Sequence, residues 1–138
     1  MSVGSIHLHA LPFAWPVLWP LLEPVAKRVD KTEKDVRRTI DSGHAQLWAI
    51  SENGTPIAAV VTQITLKPEK RCLMWMIGGE RTREWIGDFM PKIEAYAREW
   101  GCVALWGAGR KGWARIVEPA GFVRIADFDG LPTWERKI

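Results

Sequence analysis

The sequence predicts one mixed α+β domain over residues 1–138, with a central, mostly antiparallel six- to seven-stranded sheet flanked by about four helices. Three observations lead to this prediction. Short apolar runs between Gly- and Pro-containing turns indicate strands, two longer segments carry apolar residues at the helical period, and the two patterns alternate along the chain. The predicted order is β-α-α-β-β-β-α-β-α-β-β.

The first half of the chain predicts a strand at residues 6–11 and a helix over residues 15–26. Pro16 suits a first helical turn, whereas Pro20 and Pro24 each remove a backbone donor and should kink or interrupt the helix. Thr32 with an acidic residue three positions later is typical of a capping box, so a second helix is expected over residues 32–42.

A meander of three strands should follow, at residues 45–51, 56–66 and 71–77. Asn53-Gly54 between the first two is a strong hairpin signal. Apolar spacing then predicts a helix over residues 82–100, with a bend or late start near Pro91. The remaining predicted elements are strand 102–106, helix 111–118, and strands 122–128 and 133–137.

Composition limits the class of protein only loosely. The chain is 47% hydrophobic and 25% charged, which is usual for a globular domain with one core. A net charge of +3 permits an acidic ligand or nucleic acid but requires neither. Cys72 and Cys102 are expected to be reduced, and the histidines lack the converging ligands of a metal site. Three prolines interrupt the apolar stretch 11–22, so neither a membrane span nor a signal peptide is predicted, and a cytoplasmic location is expected.

The C-terminal third carries the most specific pattern. A strand leads into Gly107-Ala108-Gly109-Arg110, a short helix follows, and Gly121-Phe122 opens the next strand. Together with the element order and the segment Ala-Arg-Glu-Trp-Gly-Cys at 97–102, this resembles the GNAT superfamily of N-acetyltransferases, and among them small divergent members from phages and prophages. The family's last helix usually ends in Tyr-x-x-x-Gly-Phe, and Val117 stands at the Tyr position.

The resemblance implies an acyl-CoA-dependent N-acyltransferase that transfers an acetyl group from acetyl-CoA, or the acyl group of another acyl-CoA, to an amine on a small molecule or protein by direct attack. A family loop of the form Arg/Gln-x-x-Gly-x-Gly/Ala binds the CoA pyrophosphate. Arg81 fits its first position, whereas Glu84 and Ile86 replace its small residues. Glu80 is the candidate general base, and the alternative is an ordinary acid at a helix N-terminus, where the helix dipole favours it. Val117 cannot donate the proton that a tyrosine would. No metal is implied.

Two glycine-containing turns are the candidate anion sites. Cofactor contacts are expected from Ile77, Gly78, Gly79, Arg81, Thr82 and Arg83, and from Gly109, Arg110 and Trp113. The alternative for the first group is that Gly78-Gly79 only ends a strand. The alternative for the second is a tight turn with a packed tryptophan.

Two other functions remain open from the sequence. The altered loop and Val117 also fit a non-catalytic binding module or a virion or phage accessory protein, with a protein partner or homodimer contact through Trp15 and Trp19. Basic residues near several of the nine tryptophans also fit nucleic-acid binding or base modification.

Overall fold

The computed structural model describes all residues from 1 to 138. The seven strands form one sheet in the order β1-β2-β3-β4-β5-β7-β6. The elements in chain order are β1 (Ser2–Ser5), α1 (Leu11–Arg28), α2 (Glu33–Asp41), β2 (Ala45–Glu52), β3 (Thr55–Thr65), β4 (Arg71–Gly79), α3 (Thr82–Glu99), β5 (Ala104–Ala108), a 3₁₀ turn (Lys111–Trp113), α4 (Ala114–Val117), β6 (Val123–Phe128) and β7 (Leu131–Lys137). The predicted element order and fold class are confirmed.

The meander follows the local signals closely. Strands β2 and β3 pair antiparallel around Asn53-Gly54, whose φ angles of 52° and 81° suit a tight hairpin. The capping box before α2 is present, with the Thr32 hydroxyl accepting from the Asp35 amide and the Asp35 carboxylate accepting from the Thr32 amide. These features depend on neighbouring residues, which is why the sequence predicts them.

Helices cover both faces of the sheet. Helices α1 and α2 pack on one face, where Leu18, Leu22 and Val36 are fully buried against Leu47 and Val61. Helix α3 covers the other face and buries Trp85, Phe89 and Ile93, together with Val117 from α4. None of the helices combines the length and apolarity needed to cross a lipid bilayer.

The N-terminal prediction was wrong in two respects. Strand β1 lies at Ser2–Ser5, and residues 6–11 lead into a helix that already begins at Leu11. Pro16, Pro20 and Pro24 lie inside α1, which continues through all of them. The prolines are spaced by four residues, so the carbonyl that each one leaves without a donor belongs to the proline four residues before it. These unpaired carbonyls therefore lie along one exposed side of α1. Burial of the opposite face offsets that loss.

Smaller shifts occur later in the chain. Helix α3 begins at Thr82, so it does not start late, and Pro91 lies inside it. The carbonyl that Pro91 leaves without a donor belongs to Gly87, which is exposed. Strand β5 runs from Ala104 to Ala108, two residues later than expected, so Gly107 is part of the strand. The predicted helix 111–118 is a 3₁₀ turn followed by a single α-helical turn.

Candidate functional site

The sheet opens between β4 and β5. These parallel strands pair only from Arg71 to Leu73 and from Ala104 to Trp106, although β4 continues to Gly79 and β5 to Ala108. A bulge explains the divergence, because Met74 and Met76 oppose Thr62 and Val61 of β3, whereas Trp75 between them has no partner. An extra residue bends the bulged strand and ends its pairing on the other side.

Two adjoining cavities occupy this opening. The outer cavity, of about 730 Å³, lies between α1, the end of β4 and the turn before α4. The inner cavity, of about 510 Å³, lies between the separated strands and reaches Phe122 and strand β7. Both are lined by the same five residues, so they form one continuous cleft: Val25, Arg28, Ile77, Arg110 and Trp113.

Most of the predicted site residues meet in this cleft. The outer cavity is lined by Ile77, Gly78, Gly79, Glu80, Thr82, Arg110 and Trp113. Gly109 lines the inner cavity beside Arg110 and Trp113. Two predicted cofactor contacts, Arg81 and Arg83, are absent from the lining of both cavities. Gly78 and Gly79 are the last residues of β4 and do not form a separate turn. They line the same cleft as Gly109 and Arg110, which are distant from them in sequence.

Arg81 is held by carboxylates. Its guanidinium lies 2.5 Å from a carboxylate oxygen of Glu84 and 2.5 Å from one of Glu52. The hydrogen bonds that the guanidinium donates to Glu84 first, and to Glu52, raise the pKa of Arg81, and the contact with Arg81 lowers the pKa of Glu84. The Glu84 charge at the start of α3 is therefore neutralised by its neighbour. Ile86 is the second residue that departs from the family loop. Its side chain is buried in the core under α3 and therefore does not obstruct the cleft.

Gly78 at the end of β4 and Gly109 after β5 have packing reasons to be glycine. A Cβ at Gly78 would lie 2.1 Å from the Leu21 carbonyl oxygen, so only glycine lets the α1 backbone approach β4 this closely. A Cβ at Gly109 would lie 2.8 Å from Cδ1 of Trp113, whose indole lies against that backbone. These contacts fix α1 and Trp113 as walls of the cleft.

The charges in the cleft are mainly positive. Arg28 and Arg110 line both cavities, and Glu80, which is exposed, is the one carboxylate that lines either. Neither arginine takes part in any of the ion pairs of the structure, which join other residues. Two unpaired guanidinium groups at one cleft favour an anionic ligand.

No proton donor replaces the expected tyrosine. Val117 is 5% exposed, ends α4 and lines the inner cavity. Tyr96 is half-buried on α3 and makes an edge contact with Trp48, away from the cleft. Burial raises the pKa of Tyr96 to about 12. No side chain on this wall is therefore placed to protonate a leaving group.

Several cleft residues had no signal in the sequence. Trp75 enters the cleft through the bulge, Trp134 through β7, and Arg28 through the last turn of α1. None of them lies in a recognisable motif or near the others in sequence. Only the long-range pairing of strands and the packing of α1 bring them together.

Comparison with solved structures decides the fold. A mutant of agmatine N-acetyltransferase in its apo form superposes with a TM-score of 0.74 at 12% identity, over 99% of this chain and 99% of that chain. The GNAT domain of S. lividans PAT gives 0.71 at 18% identity over 99% and 89% of the chains. The protein has the GNAT fold. Tetrahymena GCN5 matches with a TM-score of 0.70 at 14% identity, over 100% and 96% of the chains.

A fourth solved structure, a GNAT family acetyltransferase from Elizabethkingia anophelis with acetyl-CoA bound, has a TM-score of 0.69 at 11% identity, over 99% and 97% of the chains. No family model and no curated protein matches the sequence. The likeness therefore shows the fold, and the function depends on the residues of this chain's own cleft.

Proposed function

We propose that the protein is an acyl-CoA-dependent N-acyltransferase that transfers an acyl group, most simply acetyl, to an amine. The observation that supports this proposal is the opening between β4 and β5. It joins a polar outer cavity, lined by Arg28, Arg110 and Glu80, to an inner cavity whose wall is largely apolar. CoA supplies the acyl group in activated form, as a thioester.

The residues around the outer cavity fit a pyrophosphate. The first backbone N–H group of α3, at Thr82, which lines this cavity, has no acceptor within the helix and lies at the positive end of its dipole. Arg110 adds an unpaired guanidinium from the opposite wall. In this proposal Arg81 acts by neutralising Glu84, and Trp113 closes the cleft beside Gly109.

The inner cavity is where acyl transfer would take place. The amine nitrogen attacks the thioester carbon, so a C–N bond forms as the C–S bond breaks, and sulfur leaves with the electron pair. A strand amide near Ile77, on the edge of β4 that β5 no longer covers, would polarise the carbonyl. The amine proton passes to Glu80, the one carboxylate of the cleft. Because Val117 has no proton to give, solvent would reprotonate the thiolate.

The other two functions receive less support. Trp15 is 5% exposed and Trp19 stacks on it, so this pair is not a free partner surface. Five of the nine tryptophans are buried, so the outer surface offers few rings that could stack on bases. A non-catalytic module would bind acyl-CoA without turnover. Use of acyl-CoA agrees with a cytoplasmic location, and a phage origin remains a prediction.

Calorimetric titration with acetyl-CoA tests the cofactor assignment. We expect micromolar affinity for the wild type and a loss of about tenfold in Arg110→Gln, because one charge-assisted contact to phosphate is removed. Arg115→Gln is the matched control, since Arg115 is an exposed arginine of α4 outside the lining of both cavities. Wild-type binding weaker than about 1 mM would contradict the proposal.

A further inference from the structure

The inner cavity combines an aromatic wall with purely positive charge. Its charged residues are Arg28 and Arg110, and no Asp, Glu or His lines it. Its wall includes Trp75, Trp113, Phe122, Leu131 and Trp134. An acceptor with a cationic tail, such as a polyamine or a lysine side chain, would lie next to like charges with no carboxylate to pair with it.

Arg28 is the group that the proposed acyl transfer leaves without a ligand. It lies in the last turn of α1, is exposed and forms no ion pair with another side chain. Helix α1 flanks the opening on the sheet face opposite α3, so Arg28 and Val117 approach the inner cavity from different faces. Arg110, by contrast, belongs to the turn assigned to the phosphates.

Resting on the proposed acyl transfer, we propose that the acceptor is a hydrophobic amino-carboxylate, meaning a primary amine that carries a carboxylate and an aromatic or large apolar side chain. Arg28 binds the carboxylate, since a guanidinium matches its two oxygens. The tryptophan wall holds the apolar side chain, where aromatic rings gain from edge and offset contacts. Selectivity follows because an acceptor without the carboxylate leaves Arg28 unpaired.

The same environment favours the neutral form of the amine, which is the nucleophile. Only the neutral amine can attack, and an apolar wall with nearby guanidinium groups disfavours the ammonium form. Binding through the carboxylate orients the amine without a carboxylate partner that would hold it protonated. The released proton moves outward to Glu80.

Matched acceptors test this inference. Release of the CoA thiol would be followed at saturating acetyl-CoA with phenylalanine, with phenethylamine, which lacks only the carboxylate, and with spermidine. Binding of phenylalanine would be measured separately from the fluorescence of the cleft tryptophans. We expect kcat/KM for phenylalanine to exceed that for phenethylamine by about tenfold or more, and Arg28→Gln to abolish this difference. Lys27→Gln removes the neighbouring charge from outside the cleft lining and should preserve it.

The outcomes separate the two proposals. If acetyl-CoA binds but phenethylamine or spermidine reacts as well as phenylalanine, the acceptor class is overturned and acyl transfer stands. If acetyl-CoA binds and none of the three amines reacts, the acceptor class is also overturned. If acetyl-CoA does not bind in the calorimeter, the proposed function fails and the acceptor assignment fails with it. Arg28 also lines the outer cavity, so both affinities are compared. A loss of phenylalanine binding in Arg28→Gln that exceeds its loss of acetyl-CoA affinity supports the inference, and a loss of acetyl-CoA affinity alone would assign Arg28 to the phosphates and overturn it.

Discussion

Individual ion pairs in this protein differ widely in how much they contribute to the free energy of unfolding, because their burial differs. Arg71 is 8% exposed, bonds Glu135 at 3.0 Å and lies over the Trp106 ring at 4.4 Å. Arg37 and Asp41 form a pair of similar length, 3.1 Å, on the exposed side of α2. Equal distances therefore do not mean equal energies, since water screens the second pair and is nearly excluded from the first.

Glu135→Ala should lower the free energy of unfolding by about 3 kcal/mol, because it leaves the Arg71 cation buried without its carboxylate. Asp41→Ala, the control from the exposed pair, should change it by less than about 0.5 kcal/mol. Urea denaturation measures both. Similar losses in the two variants would show that burial does not control the contribution of the Arg71 pair.

The thiol of Cys72 should be unreactive in the folded protein. Burial raises its pKa to about 12 from the ordinary value of 9.0. Because the folded-state pKa is the higher one, folding favours the protonated thiol, and the associated stability is complete below pH 9 and is lost as the pH rises toward 12. At pH 8, iodoacetamide should modify Cys72 in urea but not in buffer, as read by mass spectrometry. Rapid labelling of Cys72 in the folded protein would contradict the burial of its thiol.

At the scale of elements, the contact between α1 and β4 determines the shape of the cleft. Helix α1 brings Val25 and Arg28 to the opening, and its backbone touches β4 at Gly78. Its prolines cost hydrogen bonds, so the helix depends on this packing more than on its own propensity. A change at the contact should therefore affect both stability and the cleft.

Gly78→Ala should destabilise the protein by about 3 kcal/mol, because the new methyl group would overlap the Leu21 carbonyl oxygen and push α1 outward. Gly87→Ala in α3 is the matched control. No atom lies within 4 Å of a Cβ there, and the substitution should stabilise the helix by about 0.5–1 kcal/mol. Thermal and urea unfolding measure both, and a neutral Gly78→Ala would disprove the tight contact.

At the scale of the whole molecule, the opening in the sheet is a gap that a ligand can fill. Residues from both faces meet there, with Val25 and Trp75 from the side of α1 and Val117 and Phe122 from the side of α3. This binding site exists only when both faces of the sheet are assembled, so a molecule bound in the gap should stabilise the entire fold.

Acetyl-CoA at about 100 times its Kd should raise Tm by on the order of 10 °C, because this excess adds about 2.7 kcal/mol to the stability of a domain of this size. Arg110→Gln should show a clearly smaller shift at the same concentration, and Arg115→Gln the full shift. Differential scanning calorimetry gives the values. An equal shift in both variants would place the cofactor away from Arg110.

The sequence by itself determined the order of elements, the Asn53-Gly54 hairpin and the cap of α2, because each depends on residues a few positions apart. Only the tertiary structure decided the bulge at Trp75, the ion pair between Arg81 and Glu52, and the presence of Arg28 and Arg110 in the lining of one cleft. It also showed that α1 continues through its prolines. These features depend on strand register and on packing between distant segments, and such contacts leave no periodic signal in the chain.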